Sequence, residues 1–164
     1  MLTSRTELLQ RMPIFGALRE ESLQVLLQRA ATVQVAAGGL FFREGDAARS
    51  MFVLERGRVL VSKHWQGGDF VLNRLGVGDC FGEMSMMDLQ PRSASVRAEQ
   101  DCSAMEFTTD DLLALYECDV EQFALIQMNM GREVCRRLRA TDELLFRALM
   151  GETLEGLQPV HGDH

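Results

Sequence analysis

The chain's 164 residues and 18.4 kDa allow one domain with one sizeable hydrophobic core and little room for a second. Apolar residues at 46% and charged residues at 25% are the balance of a globular chain, and no apolar run is long enough to cross a membrane. Residues 1–108 carry 12 basic and 13 acidic side chains and residues 109–164 carry 5 and 11, an acidic final third that would repel a phosphate backbone, so DNA is not an expected partner.

Ser4-Arg5-Thr6-Glu7 has the S-x-x-E spacing of a helix capping box, with Leu8, Leu9 and Met12 following on one face. Pro13 ends that helix, because the residue before a proline resists the α region. Leu18, Leu23, Leu26 and Leu27 outline a second amphipathic helix over 18–30. From Thr32 the pattern changes to short β-like runs divided by turn signals: 32–36, 40–43, 50–54, 59–63, 70–75, 93–98 and 104–107. Short strands about ten residues apart predict a β jelly roll, a double-stranded β-helix sandwich, over 32–108.

Helical periodicity returns at Thr109, with a short helix over 110–116 broken near Cys118-Asp119. Asp119 and Gln122 then cap a much longer helix in which Phe123, Ile126, Met130, Val134, Leu138, Thr141, Leu145 and Ala148 recur at spacings of three and four. A stripe of about seven turns cannot all be buried on one compact roll. Its far half is expected to pack against a second copy, giving a homodimer. The expected fold class is α+β, one domain over 1–150: helices over 4–30, the β roll over 32–108 and C-terminal helices over 109–150. A polar, flexible tail over 151–164 follows.

The most unusual stretch is Phe81-Gly82-Glu83-Met84-Ser85-Met86-Met87, followed by Pro91-Arg92-Ser93-Ala94-Ser95-Val96. A glycine lets backbone approach a ligand, and the free N–H groups of a helical turn starting at Glu83 make an anion site. Arg92 suits a phosphate and Glu83 suits hydroxyl donors; a sugar phosphate supplies both. The plainer alternative is a surface Glu–Arg pair on a β-to-β connection.

These segments resemble the phosphate-binding cassette of the cyclic nucleotide-binding domain family, almost position for position. Phe42-Arg43-Glu44-Gly45-Asp46, Met51-Phe52-Val53-Leu54-Glu55-Arg56-Gly57 and Gly78-Asp79-Cys80-Phe81-Gly82-Glu83 resemble that family's glycine-anchored strands in the same order. The resemblance covers most of the chain. It implies that Glu83 accepts the ribose 2′-hydroxyl, that Arg92 neutralises the cyclic phosphate and that Ser93 bonds a phosphate oxygen. Gly82, Met84, Ser85 and Ala94 would complete the cassette side of the site, and Val61, Leu72 and Asn73 would line it from the facing strands.

Arg136-Arg137-Leu138-Arg139-Ala140-Thr141-Asp142-Glu143 resembles the stretch of the bacterial catabolite-activator type in which a threonine reads adenine. That resemblance implies that Arg137 supports the phosphate-side network and that Thr141 reaches the base. Asp142 departs from it, standing where that type has a serine from the partner subunit. Thr141 as a small polar residue in a helix-pair seam is the other reading. Relatives preferring cyclic GMP often place threonine in the slot of Ser93, while serine is common there in cyclic AMP binders. Cyclic AMP is therefore expected ahead of cyclic GMP.

Relatives of the catabolite-activator type continue into a helix-turn-helix, which needs roughly 20 residues or more. Only 14 follow Met150 here, so the expected protein is a receptor without a DNA-reading half. No Gly-x-Ser-x-Gly, His-Glu-x-x-His or Walker-type loop occurs, and His64, His161 and His164 are not spaced as ligands, so neither an enzyme nor a metal site is expected. Cys80, Cys102, Cys118 and Cys135 form no C-x-x-C pair and read as reduced thiols of a cytoplasmic protein. The leading expectation is a cyclic-nucleotide receptor that relays binding through its long helix to an unidentified downstream protein. The rival is a protein-docking module with a retained pocket, to which Met84, Met86, Met87, Met128 and Met130 would lend an adaptable surface.

Overall fold

In the computed structural model, which describes residues 4–151, Ser4 caps helix α1 (Arg5–Gln10) through the reciprocal bonds with Glu7 that the sequence spacing predicts. A 3-10 turn (Pro13–Phe15) and helix α2 (Glu20–Arg29) follow. The roll comprises β1 (Ala31–Val35), β2 (Leu40–Phe42), β3 (Ser50–Arg56), β4 (Val59–Trp65), β5 (Gly68–Leu75), β6 (Cys80–Phe81), β7 (Ser95–Ala98) and β8 (Cys102–Thr108). Helix α3 (Met84–Asp88) is inserted between β6 and β7. Helices α4 (Thr109–Cys118) and α5 (Val120–Leu149) end the described chain. The expected tail lies outside the described residues beyond Gly151.

The strands form two antiparallel four-stranded sheets, ordered β1-β8-β3-β6 and β2-β7-β4-β5. Strand β3 is buried on both faces, which explains its unbroken Met51-Phe52-Val53-Leu54 run. Phe52 and Leu54 face the second sheet with Phe81, Val96 and Ala104, while Met51 and Val53 face the helices with Phe15, Leu26, Phe107 and Ile126. The site therefore sits on a sheet held from both sides.

The β4–β5 hairpin turns at Gln66-Gly67, both at positive φ (47° and 83°), so Gly68 and Asp69 belong to the strand rather than to the expected turn. A bulge interrupts this hairpin: Val61 pairs with Asn73 but Ser62 pairs with Val71. Leu72 is the extra residue.

The near half of α5 is fastened to the N-terminal segment. Asn129 Nδ2 donates to the carbonyls of Ile14 (3.1 Å) and Gly16 (2.9 Å), and the Arg19 amide donates to Gln122 Oε1 (2.7 Å). Ile126 and Met130 are fully buried beside these bonds. From Leu138 to Leu149 every residue of the same helix is exposed, including Leu138, Leu145, Phe146 and Leu149. Among the expected methionine surface, Met130 and Met86 pack into the core, and Met84, Met87 and Met128 are exposed.

Candidate functional site

Strand β6 ends at Phe81, and Gly82 (φ 82°) turns the chain into α3. Position 82 favours glycine: its backbone is left-handed, and a Cβ there would press on Arg92 Nη1. Glu83 stands at the cap position of α3 with its side chain turned inward, and Leu89 in the left-handed region closes that helix. The chain then returns through Arg92, whose backbone is pinned to the β2–β3 connection. Its N–H donates to the Asp46 carbonyl (2.9 Å), and its own carbonyl accepts from Gly45 (2.8 Å).

A cavity opens between this cassette and the β4–β5 face. Glu83 and Arg92 are 1% and 6% exposed, so they are not the surface pair of the plainer reading. Arg92 Nη1 donates to the carbonyls of Ser50 (2.7 Å) and Gly82 (3.0 Å), and Nη2 donates to Ser50 Oγ (3.3 Å). The guanidinium lies 4.0 Å from the centroid of the Phe42 ring. Its acceptors are backbone and hydroxyl oxygens, and among the described residues no carboxylate hydrogen-bonds it. Burial lowers its pKa, though arginine stays charged.

The opposite end is built differently. Arg137, from α5, donates through Nη1 to Glu83 Oε1, through Nη2 to the Cys80 carbonyl (3.0 Å) and through Nε to Glu133 Oε1 (3.1 Å). Burial raises the Glu83 pKa above its ordinary value despite that cation. Burial, with Glu83 nearby, pushes the Cys80 thiol up to about 12, so it is neutral and unreactive. Two polar side-chain atoms are buried without a hydrogen-bond partner among the described residues: Glu83 Oε2 and Arg92 Nε. Both residues line this cavity.

The cavity gathers ten of the expected residues: Gly82, Glu83, Met84, Ser85, Arg92, Ser93, Ala94, Val61, Asn73 and Arg137. Leu72 is not among them: it is 49% exposed, because it stands between Val71, which is buried, and Asn73, which lines the cavity, and strand alternation turns it outward. Thr141 is exposed, with its hydroxyl bonded to the Arg137 carbonyl (3.0 Å), and lies off the cavity. Arg137 bonds Glu83, not the Arg92 side where the resemblance put it. Sequence reasoning missed Phe42, Leu75, Phe81 and Val96 as lining residues and Ser50 beneath them. Phe42, Phe81 and Val96 lie within the glycine-anchored strand and cassette motifs; Ser50 acts partly through a carbonyl, which no side chain advertises.

Among the described residues no cluster of three or more His, Cys, Asp or Glu side chains could hold a metal, and no helix is long and apolar enough to cross a membrane. All four cysteines are unpaired.

Residues 32–119 match the family described as the cyclic nucleotide-binding domain. The chain is 31% identical over 131 residues to the Cyclic AMP receptor protein of Thermus thermophilus, covering 79% of this chain and 59% of that relative's length. The crystal structure of Thermus thermophilus Catabolite Activator Protein superposes with a TM-score of 0.72 at 30% identity, over 81% of this chain and 61% of that one. A cyclic nucleotide-binding domain from Methylobacillus flagellatus shares the fold, with a TM-score of 0.76 at 23% identity over 93% of this chain and 84% of that one.

Proposed function

The chain belongs to the cyclic nucleotide-binding domain family, and we propose that it is a receptor for a cyclic nucleotide, cyclic AMP ahead of cyclic GMP. One observation carries this reading. A buried carboxylate oxygen and a buried guanidinium nitrogen, Glu83 Oε2 and Arg92 Nε, lack partners on residues that line one cavity. Leaving such groups unpaired costs about 1–3 kcal/mol each, more where charged. A ligand carrying a hydroxyl donor and an anionic oxygen would relieve both.

The edge formed by Nε and Nη2 of Arg92 offers a two-pronged fork to phosphate oxygens, since Nη1 is committed to the Ser50 and Gly82 carbonyls. Ser93, Ala94 and Ser85 border the same space and would add polar and backbone contacts. One unpaired cation suits the single charge of a cyclic phosphodiester. A 5′-monophosphate would bring a second negative charge into a cavity that also holds Glu83, and it should bind far more weakly. The names of the relatives favour cyclic AMP.

In the same reading, ligand binding is relayed through α5 to a downstream protein, in a cytoplasmic setting suited to four free thiols. The apolar side chains Leu138, Leu145, Phe146 and Leu149 on the exposed half of α5 support a homodimer through that helix. Thr141, bonded to its own helix, suits a seam position there.

Calorimetric titration of nucleotide-stripped protein with cyclic AMP, cyclic GMP and 5′-AMP, alongside Arg92→Ala, tests the proposal. Saturable binding of one cyclic nucleotide, lost in the variant and absent with 5′-AMP, is expected. No heat from any of them would overturn the receptor reading and bring forward the docking module.

A further inference from the structure

Glu133 is no part of the cavity, and none of the ligand contacts proposed above involves it. It is nevertheless 6% exposed, an ionised side chain buried at the surface of α5. Arg136 grips it with two bonds, Nε to Oε2 (3.0 Å) and Nη2 to Oε1 (2.6 Å). The same Oε1 accepts from Arg137 Nε at 3.1 Å, one helical turn on. Burial opposes its charge, but the two arginines outweigh burial and hold its pKa below the ordinary value.

The consequence falls on Arg137. Its guanidinium is planar and rigid, and three different acceptors claim three of its nitrogens: Glu133, Glu83 and the Cys80 carbonyl. Two of these acceptors belong to the roll and the third to α5 itself. The Arg137 side chain is still 36% exposed, so without the α5 anchor its long stem could rotate toward water. Glu83 would then lose the cation that fixes Oε1 and leaves Oε2 turned to the cavity.

We propose that Glu133 is a positioning residue: from α5 it holds Arg137 against Glu83, so that Glu83 is set to receive a ligand hydroxyl only while this turn of α5 is docked. The inference rests on the cyclic-nucleotide reading and makes affinity for one part of the ligand depend on a residue outside the site. Its signature is selective, because Arg92 is held by Ser50, Gly82 and Phe42 without any help from α5.

The test compares a cyclic nucleotide that the wild type binds with its 2′-deoxy form, by calorimetry on the full chain. The wild type should prefer the ribose form roughly 10- to 100-fold, the worth of a hydrogen bond to a buried charge. Glu133→Ala should shrink that preference to about threefold or less while leaving affinity for the 2′-deoxy ligand nearly unchanged. Glu133→Gln, which keeps an acceptor for Arg137 Nε, should fall between the two. Arg136→Ala, which removes only the outer partner of Glu133, should keep most of the preference. An undiminished preference in Glu133→Ala, or equal loss for both ligands, would overturn the inference and leave the receptor reading standing. If Glu133→Ala does not fold, Glu133→Gln decides: a reduced preference supports the inference and an intact one overturns it. A wild type that binds neither ligand overturns the receptor reading, and this inference with it.

Discussion

The two charged ends of the cavity are held by different parts of the molecule. Arg92 is seated entirely by the roll, on the Ser50 and Gly82 carbonyls, the Ser50 hydroxyl and the Phe42 ring. Glu83 takes its cation from α5, a helix whose near half is fastened to the N-terminal segment and whose far half is exposed. The phosphate end is thus held within the roll, and the hydroxyl end is shared with a helix outside it. On the receptor reading proposed above, a ligand that bridges both ends would bind best when α5 is docked, and by linkage it would favour that docked position. The shift it can produce is limited to the affinity contributed at the Glu83 end.

The comparison breaks hardest at the fixed end. Arg92→Ala leaves a ligand phosphate buried without a counter-charge, so affinity for ribose and 2′-deoxy ligands should fall together, by more than about 100-fold, in the same titration. Gly82→Ala attacks the same end through the backbone: its Cβ displaces Arg92 from its seat and the residue is strained at φ 82°. A loss of about 1–3 kcal/mol in thermal stability should accompany weaker binding of both ligands. If Gly82→Ala spared affinity, the close packing of Arg92 on residue 82 would not matter to the ligand.

At the movable end the losses should separate the two ligands. Arg137→Ala strips Glu83 of its cation and should cost about 10-fold in affinity for the ribose form and little for the 2′-deoxy form. A parallel loss for both ligands would show that α5 supports the whole cavity rather than one end of it.

Much of this architecture was legible in the chain. Glycine turns and apolar runs gave the strands, the capping residues Ser4 and Asp119 gave two helix starts, and the cassette motif gave the cavity's inner wall. What escaped has physical reasons. Strand β6 is two residues long and has no alternation to display. Leu72 and Asn73 are neighbours on one strand, and alternation turns only Asn73 to the cavity, so both could not line it. Ser93 and Ala94 read as the start of a strand but stay in the loop, beside Arg92, whose backbone pairs with Asp46 and Gly45. The partner of Arg137 on the roll could not be read either: helical spacing places Glu133 one turn away on the same helix, but it does not show that Glu83 waits across the gap.

The smallest expected effect sharpens the comparison most, because Glu83 is the one carboxylate among the described residues that line the cavity. Burial raises the Glu83 pKa above its ordinary 4.5, against the pull of Arg137 and with a small push from Glu133. Of the groups beside it, Arg92 and Arg137 stay cationic, the Cys80 thiol stays neutral, and Glu133 is held below its ordinary range by its arginines. On acidification the native chain therefore takes up this proton before the unfolded chain does. In the window between its ordinary value and the raised one, stability from this group falls as pH rises and Glu83 ionises. Ligand binding has the opposite sign, since the ionised carboxylate is the better acceptor for a hydroxyl. Affinity for the ribose nucleotide should drop by roughly fivefold as pH falls through the window, the difference between a charged and a neutral acceptor. Affinity for the 2′-deoxy form should stay flat. In Arg137→Ala the same drop should begin at a higher pH, because the cation that lowers the Glu83 pKa is gone. Equal pH profiles for the two ligands would place the titrating group elsewhere and remove the division between the two ends.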